Sequence, residues 1–262
     1  MPNAQTMTPR WALILGVSSG FGAECGLALA TAGYDICGVH LDRKAGLPRV
    51  AEIKAHIEST GRRAIFFNSN AADAEKRKEV IEALVAEKAN VAVLLHSLAF
   101  GALKPFIGDD TIIEQQMDMT LAVMGHSLVY WTQDIVHRGL MGSGGRIFSM
   151  TSSGSNRAIT AYGAVSAAKA ALESHTRQLA YELAPRGISV NALRAGVTDT
   201  PALRKIPGSD QLLSGAAAKN PGKRLTTPRD VAGALVALCH PDAGWVTGNI
   251  VNVDGGEEIS AG

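Results

Sequence analysis

The sequence predicts an α/β protein with a single doubly wound domain, in which helices cover both faces of a seven-stranded parallel sheet. Three observations support this prediction. Short apolar runs recur along the 262 residues, longer segments with helical spacing separate them, and the apolar runs are continuous rather than alternating. Continuous apolar runs are typical of strands buried on both faces, and strands that alternate with helices form βαβ units.

The predicted elements follow in order along the chain. The apolar runs predict strands at residues 11–17, 34–41, 64–68, 91–97, 145–151, 188–194 and 248–254. The spacing of apolar residues predicts helices at residues 79–89, 168–184 and 230–239. We find no internal repeat or linker, so residues 10–262 are predicted to form one domain after a flexible N-terminus at residues 1–9.

A segment rich in proline and glycine lies at about residues 200–222, between the sixth predicted strand and the helix at 230–239. Long connections inside a compact domain are often functional, as lids or binding loops. We therefore expect this segment to be a mobile lid over a substrate site.

The composition argues against several classes of function. The formal net charge is +1 and the Lys and Arg residues form no basic tract, so nucleic-acid binding is not predicted. Cys25, Cys37 and Cys239 lie far apart, which favours a reducing compartment and argues against disulfides or a cysteine-based metal site. The sequence has no apolar run typical of a signal peptide or membrane span. We expect a cytoplasmic protein with no membrane partner and no metal.

A glycine-rich stretch, GVSSGFG at residues 16–22, follows the first predicted strand and precedes a helix of small residues. The first glycine permits a tight turn, and the next two let backbone amides and the helix N-terminus approach a pyrophosphate. In this context the stretch predicts an NAD(P)-binding domain. The predicted contacts in the turn are Gly16, Ser18, Ser19, Gly20, Phe21 and Gly22.

The end of the second predicted strand bears on the choice between NADH and NADPH. NAD-binding proteins have an acidic residue there that accepts hydrogen bonds from the ribose, whereas this sequence has His40, followed by Leu41. Arg43 and Lys44 come shortly after, and such cations suit a 2′-phosphate. The pattern therefore favours NADPH. NADH is the alternative, with Asp42 contacting a ribose in a solvated turn.

The stretch AYGAVSAAK, at residues 161–169, places a tyrosine and a lysine near the start of a predicted helix. Together with the glycine turn, Asn70-Ala71, VNALRAGVTDT (190–200) and VDGG (253–256), this makes the sequence resemble the short-chain dehydrogenase/reductase family over about residues 10–257. The resemblance implies a Rossmann-type fold, NAD(P) chemistry and usually a homotetramer.

Three departures from the commonest pattern narrow this resemblance. After the fourth strand the chain reads HSLAFG (96–101) where most members have N-N-A-G, and Asp118 takes the place of a helix asparagine. The residue four before Lys169 is Val165, which has no acidic proton, so the candidate tyrosine is Tyr162 in a Tyr-x6-Lys arrangement. These features are similar to the enoyl-acyl-carrier-protein reductase branch. The glycine turn keeps the common G-x3-G-x-G form, which is similar to the sub-branch of enoyl reductases closest to ordinary ketoreductases.

The resemblance also implies the remaining site residues. Further predicted cofactor contacts are Leu41, Asn70, Ala71, Ser97, Leu98, Ala99, Gly196, Val197, Thr198 and Thr200. The predicted substrate pocket contains Phe100, Ser153, Ala202 and Leu203, with Phe106 as a further candidate. We interpret His96 and His126 as core histidines, and Asp254, Gly255 and Gly256 as a structural turn near a subunit interface.

The spacing of Tyr162 and Lys169 has a chemical consequence. Seven residues span about 10 Å along a helix axis, whereas the usual four span about 6 Å. The resemblance implies that Lys169 binds the nicotinamide ribose, so the phenol is displaced from the hydride donor. Reduction of an enoyl thioester puts hydride on the β carbon and charge on the more distant thioester oxygen, where Tyr162 is suited to stabilise it. Lys169 is also expected to lower the phenol pKa.

The sequence therefore predicts NADPH-dependent reduction of the 2,3 double bond of an enoyl thioester, carried by acyl carrier protein or CoA, in fatty acid or related biosynthesis. Ser152 lies at the position of the substrate-binding serine of family ketoreductases. It is either a second donor to the carbonyl oxygen or a small lining residue. Because of Ser152, a carbonyl reductase or alcohol dehydrogenase of the same family is the first alternative function. A non-catalytic NADPH-binding sensor or scaffold is the second.

Overall fold

The computed structural model describes residues 9–260, which form one parallel sheet with helices on both faces. Within this range the sheet has seven strands in the order β3-β2-β1-β4-β5-β6-β7. The strands are β1 (Arg10–Leu15), β2 (Asp35–His40), β3 (Ala64–Asn68), β4 (Asn90–His96), β5 (Arg146–Thr151), β6 (Ser189–Ala195) and β7 (Ile250–Val253).

The same residues form eight α-helices. These are α1 (Gly20–Thr31), α2 (Leu47–Ser59), α3 (Ala74–Ala86), α4 (Glu114–Leu121), α5 (Ser127–His137), α6 (Gly163–Leu183), α7 (Ser209–Lys219) and α8 (Pro228–Leu238). A π-helical turn, Ala122–His126, joins α4 to α5, and short 3-10 helices include Ser153–Ser155 and Leu203–Lys205. No helix in this part of the chain is both long enough and apolar enough to cross a membrane.

Side chains that alternate across the sheet supply two separate cores. On β1, Leu13 packs in the cluster beneath α3, α5 and α6, while Ile14 packs in the cluster beneath α1, α2 and α8. Every residue of β2 and β5 is buried. Burial on both faces explains why the strands read as continuous apolar runs in the sequence.

The strand order places a crevice at the carboxyl end of the sheet. β1 pairs with β2 on one side and with β4 on the other, so the chain reverses direction across the sheet between them. In open α/β sheets, ligands bind at such a switch point, beyond the carboxyl ends of the strands. The loops after β1, β4, β5 and β6 therefore surround the site described below.

The predicted fold class is confirmed, and each predicted strand is present with its ends displaced by at most two residues. The helix predicted at 79–89 instead begins at Ala74, because the Asp73 side chain accepts hydrogen bonds from the amides of Glu75 and Lys76 and caps the helix. The helix predicted at 168–184 begins at Gly163. The lid segment contains the 3-10 helix at 203–205 and all of α7, and its mobility stays a prediction. The predicted flexibility of residues 1–8 lies outside the described residues.

Trp131 connects the core to the crevice. Its side chain is fully buried, and its indole N–H donates a 2.8 Å hydrogen bond to the carbonyl of Ala71, in the loop after β3. We expect Trp131→Phe to lower the free energy of unfolding by about 1–3 kcal/mol, because that buried carbonyl loses its donor. Chemical denaturation measures this change. The matched control is Trp245→Phe, at a site that is 97% exposed, which should change stability by less than about 0.5 kcal/mol. If both variants lowered the free energy of unfolding equally, the stabilising role given to the Trp131–Ala71 hydrogen bond would be contradicted.

Candidate active site

A cavity of about 910 Å³ opens at the carboxyl ends of the strands. It collects residues from nearly every predicted part of the site. The predicted residues that line it are Gly16, Ser18, Ser19, Gly20, Phe21, Leu41, Asn70, Ala71, Ser97, Leu98, Ala99, Phe100, Ser152, Ser153, Tyr162, Lys169, Gly196, Val197, Thr198, Thr200, Ala202 and Leu203. Gly22, Arg43 and Lys44 are not among the lining residues.

The glycine turn is shaped by close backbone contacts. Gly16 has φ +96°, and a Cβ there would lie 2.3 Å from the carbonyl oxygen of Ser97. A Cβ on Gly22 would lie 2.0 Å from the carbonyl oxygen of Gly16. Gly22 thus packs against the backbone of Gly16 and does not line the cavity. No other residue type fits either position without moving the backbone.

The first turn of α1 offers amides to a ligand. Ser19 precedes the helix in an extended conformation, and its side chain makes no capping hydrogen bond. Ser18, Ser19 and Gly20 line the cavity at this point. Uncapped amides at a helix N-terminus bind phosphate groups. The turn and the helix therefore fit the pyrophosphate of a dinucleotide.

The end of the cavity beside β2 differs from the prediction. Arg43 and Lys44 are exposed outside it, whereas Asp42 and Arg49 line it. The carboxylate of Asp42 lies 3.0 Å from Nδ1 of His40, and Arg49 forms no ion pair with any residue that the structure describes. Arg43 precedes and Lys44 begins the 3-10 turn Lys44–Gly46, which reaches the cavity at Gly46, and Arg49 lies on the helix α2 that follows.

Tyr162 lies immediately before α6, in a backbone that departs from helical geometry. Its hydroxyl is 3.4 Å from the Ser152 hydroxyl, and its ring packs on Gly154, where a Cβ would lie 2.5 Å from the ring. The preceding Ala161 has φ +57°, a left-handed conformation that costs an L-residue about 1–2 kcal/mol. Such strain is found at sites where a side chain must be held in one orientation.

Lys169 is buried in the second turn of α6. Its ammonium donates to the carbonyl of Met150 at 2.7 Å and to that of Leu98 at 3.5 Å. Burial lowers the pKa of Lys169 to about 8. The remaining N–H is available to a ligand in the cavity. The structure therefore fits the role of holding ribose hydroxyls that the sequence predicts for this lysine.

The predicted effect of Lys169 on the phenol is wrong. Burial raises the pKa of Tyr162, and the hydrogen bond with Ser152 opposes that rise in part. The ammonium of Lys169 instead makes its hydrogen bonds to backbone carbonyls. Tyr162 is consequently a protonated donor at neutral pH, as the stabiliser of an oxyanion must be.

Asp118, the predicted counterpart of the helix asparagine, does not line the cavity. It is exposed on α4 and lies outside the cavity, which the π-helical turn lines with Val123 and Met124. The wall there is therefore apolar. These two lining residues belong to the π-helical turn Ala122–His126, which follows α4.

The two histidines are held in internal contacts. Nε2 of His96 lies 2.8 Å from the Ser127 hydroxyl, and burial lowers the pKa of His96 to about 3, so it is neutral. Nδ1 of His126 lies 3.0 Å from Nε2 of His175. Neither His96 nor His126 lines the cavity.

The part of the cavity beside the predicted lid has walls that are mostly apolar. Phe100 and Val165 line it beside the lid residues Leu203, Ile206 and Leu212. Phe106 does not line the cavity and instead covers Gly163 at the start of α6, where a Cβ would lie 2.4 Å from its ring.

Five charged lining residues were not singled out by the sequence analysis, and two of them, Lys205 and Lys219, lie in the predicted lid segment. Arg49 comes from α2, Arg157 from the loop after β5, and Glu257 from the segment after β7. Glu257 accepts a 3.0 Å hydrogen bond from the amide of Val197, and burial raises its pKa. None of them stands in a motif, so no local pattern marks them. The described residues contain no cluster of three or more His, Cys, Asp or Glu side chains suited to a metal ion.

Comparisons with known proteins agree with this geometry. The family model described as Enoyl-(Acyl carrier protein) reductase matches residues 16–258. The 1-cyclohexenylcarbonyl-CoA reductase of Streptomyces collinus is 31% identical over 95% of this chain and 87% of its own length. An NADPH-dependent aldehyde reductase-like protein, chloroplastic, of Arabidopsis thaliana is 31% identical over 94% of this chain and 93% of its own.

Among solved structures, the enoyl-[acyl-carrier-protein] reductase (NADH) from Aquifex aeolicus VF5 superposes with a TM-score of 0.85 at 27% identity, covering 97% of this chain and 98% of the other. The names of these similar proteins include both NADH and NADPH. They support binding of a nicotinamide cofactor without distinguishing between the two.

The glycine packing gives a direct test of the cofactor site. We expect Gly22→Ala to weaken binding of NADH and NADPH alike by at least about tenfold, because the new methyl group displaces the Gly16 carbonyl and deforms the turn. Cofactor fluorescence titration measures the Kd. The matched control is Gly233→Ala, on an exposed position of α8 with no atom within 4 Å of the new Cβ, which should leave the Kd unchanged. Unaltered binding by Gly22→Ala would contradict the assigned turn.

Proposed function

Because the chain belongs to the short-chain dehydrogenase/reductase family of oxidoreductases, we propose that it uses NADPH to reduce the 2,3 double bond of an enoyl thioester. The proposed substrates are esters of acyl carrier protein or CoA in fatty acid or related biosynthesis. The proposed assembly is a homotetramer.

The observation that carries this proposal is the position of Tyr162. The residue four before Lys169 is Val165, and it lines the cavity as an apolar wall. Tyr162 is the tyrosine among the described lining residues, and it lies before the helix that begins at Gly163, while Lys169 lies in its second turn. The phenol is therefore displaced along the cavity from the group that holds the ribose, as conjugate reduction requires.

The reaction places separate demands on the two ends of the substrate. When bound, the cofactor supplies the hydride, which is added at the β carbon. The π electrons then move towards the thioester oxygen, where negative charge develops. Tyr162 donates a hydrogen bond to that oxygen, and the neighbouring Ser152 hydroxyl is a second donor within reach. The α carbon then takes a proton from Tyr162 or from water.

The apolar walls support this chemistry. The side chains of Phe100, Val165, Leu203 and Leu212 keep water from the acyl chain and lower the local polarity around the oxyanion. Donors aimed at a developing charge stabilise it more strongly in such surroundings than they do in water.

Ser152 favours a second candidate function. Its hydroxyl lies 3.4 Å from that of Tyr162, so the two hydroxyls form a donor pair suited to a ketone oxygen. The similarity to an aldehyde reductase-like protein agrees with this possibility. In that case hydride is added to the carbonyl carbon itself, and the product is an alcohol.

A comparison of substrates separates the two functions. We expect purified enzyme to oxidise NADPH with crotonyl thioester, and Tyr162→Phe to lower kcat about 100- to 1,000-fold by removing the oxyanion donor. NADPH absorbance measures turnover, and Tyr181→Phe, at a site that is 80% exposed, is the matched control. Activity with acetoacetyl thioester alone would reverse the assignment. Tight NADPH binding without turnover would instead indicate a sensor or scaffold.

For cofactor selectivity, we propose that Arg49, rather than Arg43 or Lys44, pairs with the 2′-phosphate of NADPH. Arg49 lines the cavity beside Asp42 and has no ionic partner among the described residues. Asp42 provides the alternative, since its carboxylate suits the ribose hydroxyls of NADH.

A charge substitution tests this assignment. We expect Arg49→Gln to raise the KM for NADPH about 3- to 10-fold, a moderate change because the side chain is exposed, and to leave the KM for NADH unchanged. Steady-state kinetics with both cofactors measure the effect. Arg43→Gln and Lys44→Gln are matched controls outside the cavity. A larger effect from either control, or the same change for both cofactors, would overturn the role of Arg49.

A further inference from the structure

A buried ion pair lies beneath the site and has no part in the chemistry proposed above. Nη2 of Arg194, on β6, lies 3.1 Å from Oε1 of Glu173, on α6. The side chains are 11% and 9% exposed, respectively. A buried ion pair contributes little to stability on balance, because desolvation offsets the attraction between the charges. Its presence beside a site therefore calls for another explanation.

The pair is connected to the elements that form the site. The Thr151 hydroxyl, at the end of β5, donates a 2.6 Å hydrogen bond to the same oxygen of Glu173. Nη2 of Arg194 also donates at 3.1 Å to the Ser155 hydroxyl. Ser155 ends the 3-10 helix that contains Gly154, against which the ring of Tyr162 packs. Glu173 and Arg194 thus join α6 to the supports of Ser152 and Tyr162.

Glu173 also lies one helical turn beyond Lys169 on α6, about 6 Å along the axis. The charged or titratable groups considered around Lys169 are Glu173 on α6, His96 on β4 and Tyr162, which precedes α6 and lines the same cavity. Arg194, on β6, contacts Glu173. His96 is neutral, and Tyr162 is protonated at neutral pH. Glu173 is therefore the anion that faces the ammonium from within the described core.

We propose that Glu173 and Arg194 are positioning residues for Lys169: Glu173 supplies the negative charge that keeps the buried ammonium protonated, and Arg194 restrains that charge. The proposal rests on the role given to Lys169 in the proposed function. It predicts that the two residues act on Lys169 in opposite directions.

The direction of each effect follows from electrostatics. Lys169 is charged below its pKa, which burial lowers to about 8 while Glu173 opposes the decrease. Glu173→Gln removes the nearby negative charge, so the ammonium is lost at a lower pH. Arg194→Gln removes the competing positive charge, so the ammonium persists to a higher pH. A residue with a merely structural role has no reason to produce shifts of opposite sign.

The test measures the pKa of Lys169 directly, in cofactor-free protein labelled with 13C at lysine Cε and titrated by NMR. Lys169→Met identifies the resonance. We expect the pKa to fall by about one unit in Glu173→Gln and to rise in Arg194→Gln. The matched control is Glu182→Gln, which removes an exposed carboxylate from the same helix and should leave the pKa unchanged.

Shifts in the same direction, or no shift in either variant, would overturn the proposal. If Glu173→Gln alone does not fold, Arg194→Gln is compared with the double variant, in which both charges are removed. The additional loss of Glu173 should then lower the pKa of Lys169, and an unchanged value would overturn the proposal. Because no substrate or cofactor is present, this result is independent of whether the protein reduces enoyl thioesters.

Discussion

The burial of Lys169 is the constraint on which the site depends. An ammonium removed from water must find acceptors within the protein, because an unsatisfied buried charge is costly. Here the acceptors are the carbonyls of Met150, at the end of β5, and Leu98, after β4. These contacts fix the loops after both strands relative to α6. The position of Tyr162 depends on the same contacts, since it lies directly before that helix.

Burial shifts the pKa values of Tyr162 and Lys169 in opposite directions. It raises the pKa of Tyr162, which keeps the phenol protonated as a hydrogen-bond donor. It lowers the pKa of Lys169 to about 8, and the negative charge of Glu173 opposes that decrease. The ion pair of Glu173 and Arg194 lies one turn along α6 from the lysine. The chemistry of the cavity and the buried charges beneath it are therefore physically connected.

Particular residues show how far sequence reasoning reached. The glycine turn and the Tyr–Lys spacing were recognisable because each depends on residues close together in the chain. Arg43 and Lys44 stood at the expected point of the sequence, yet it is Arg49, on the helix after the 3-10 turn, that lines the cavity. Asp118 stood at the expected point of the sequence, yet it is exposed on α4 and lies outside the cavity.

The sequence by itself determined the α/β class, the seven strands, the dinucleotide turn and the displaced tyrosine. Apolar periodicity and glycine positions encode these locally. Only the tertiary structure decided that Arg49 reaches the cofactor end of the cavity, that Glu257 closes against the loop after β6, and that Glu173 meets Arg194 below Lys169. These contacts join residues far apart in sequence, and they depend on how each helix is rotated against the sheet, which no local pattern specifies.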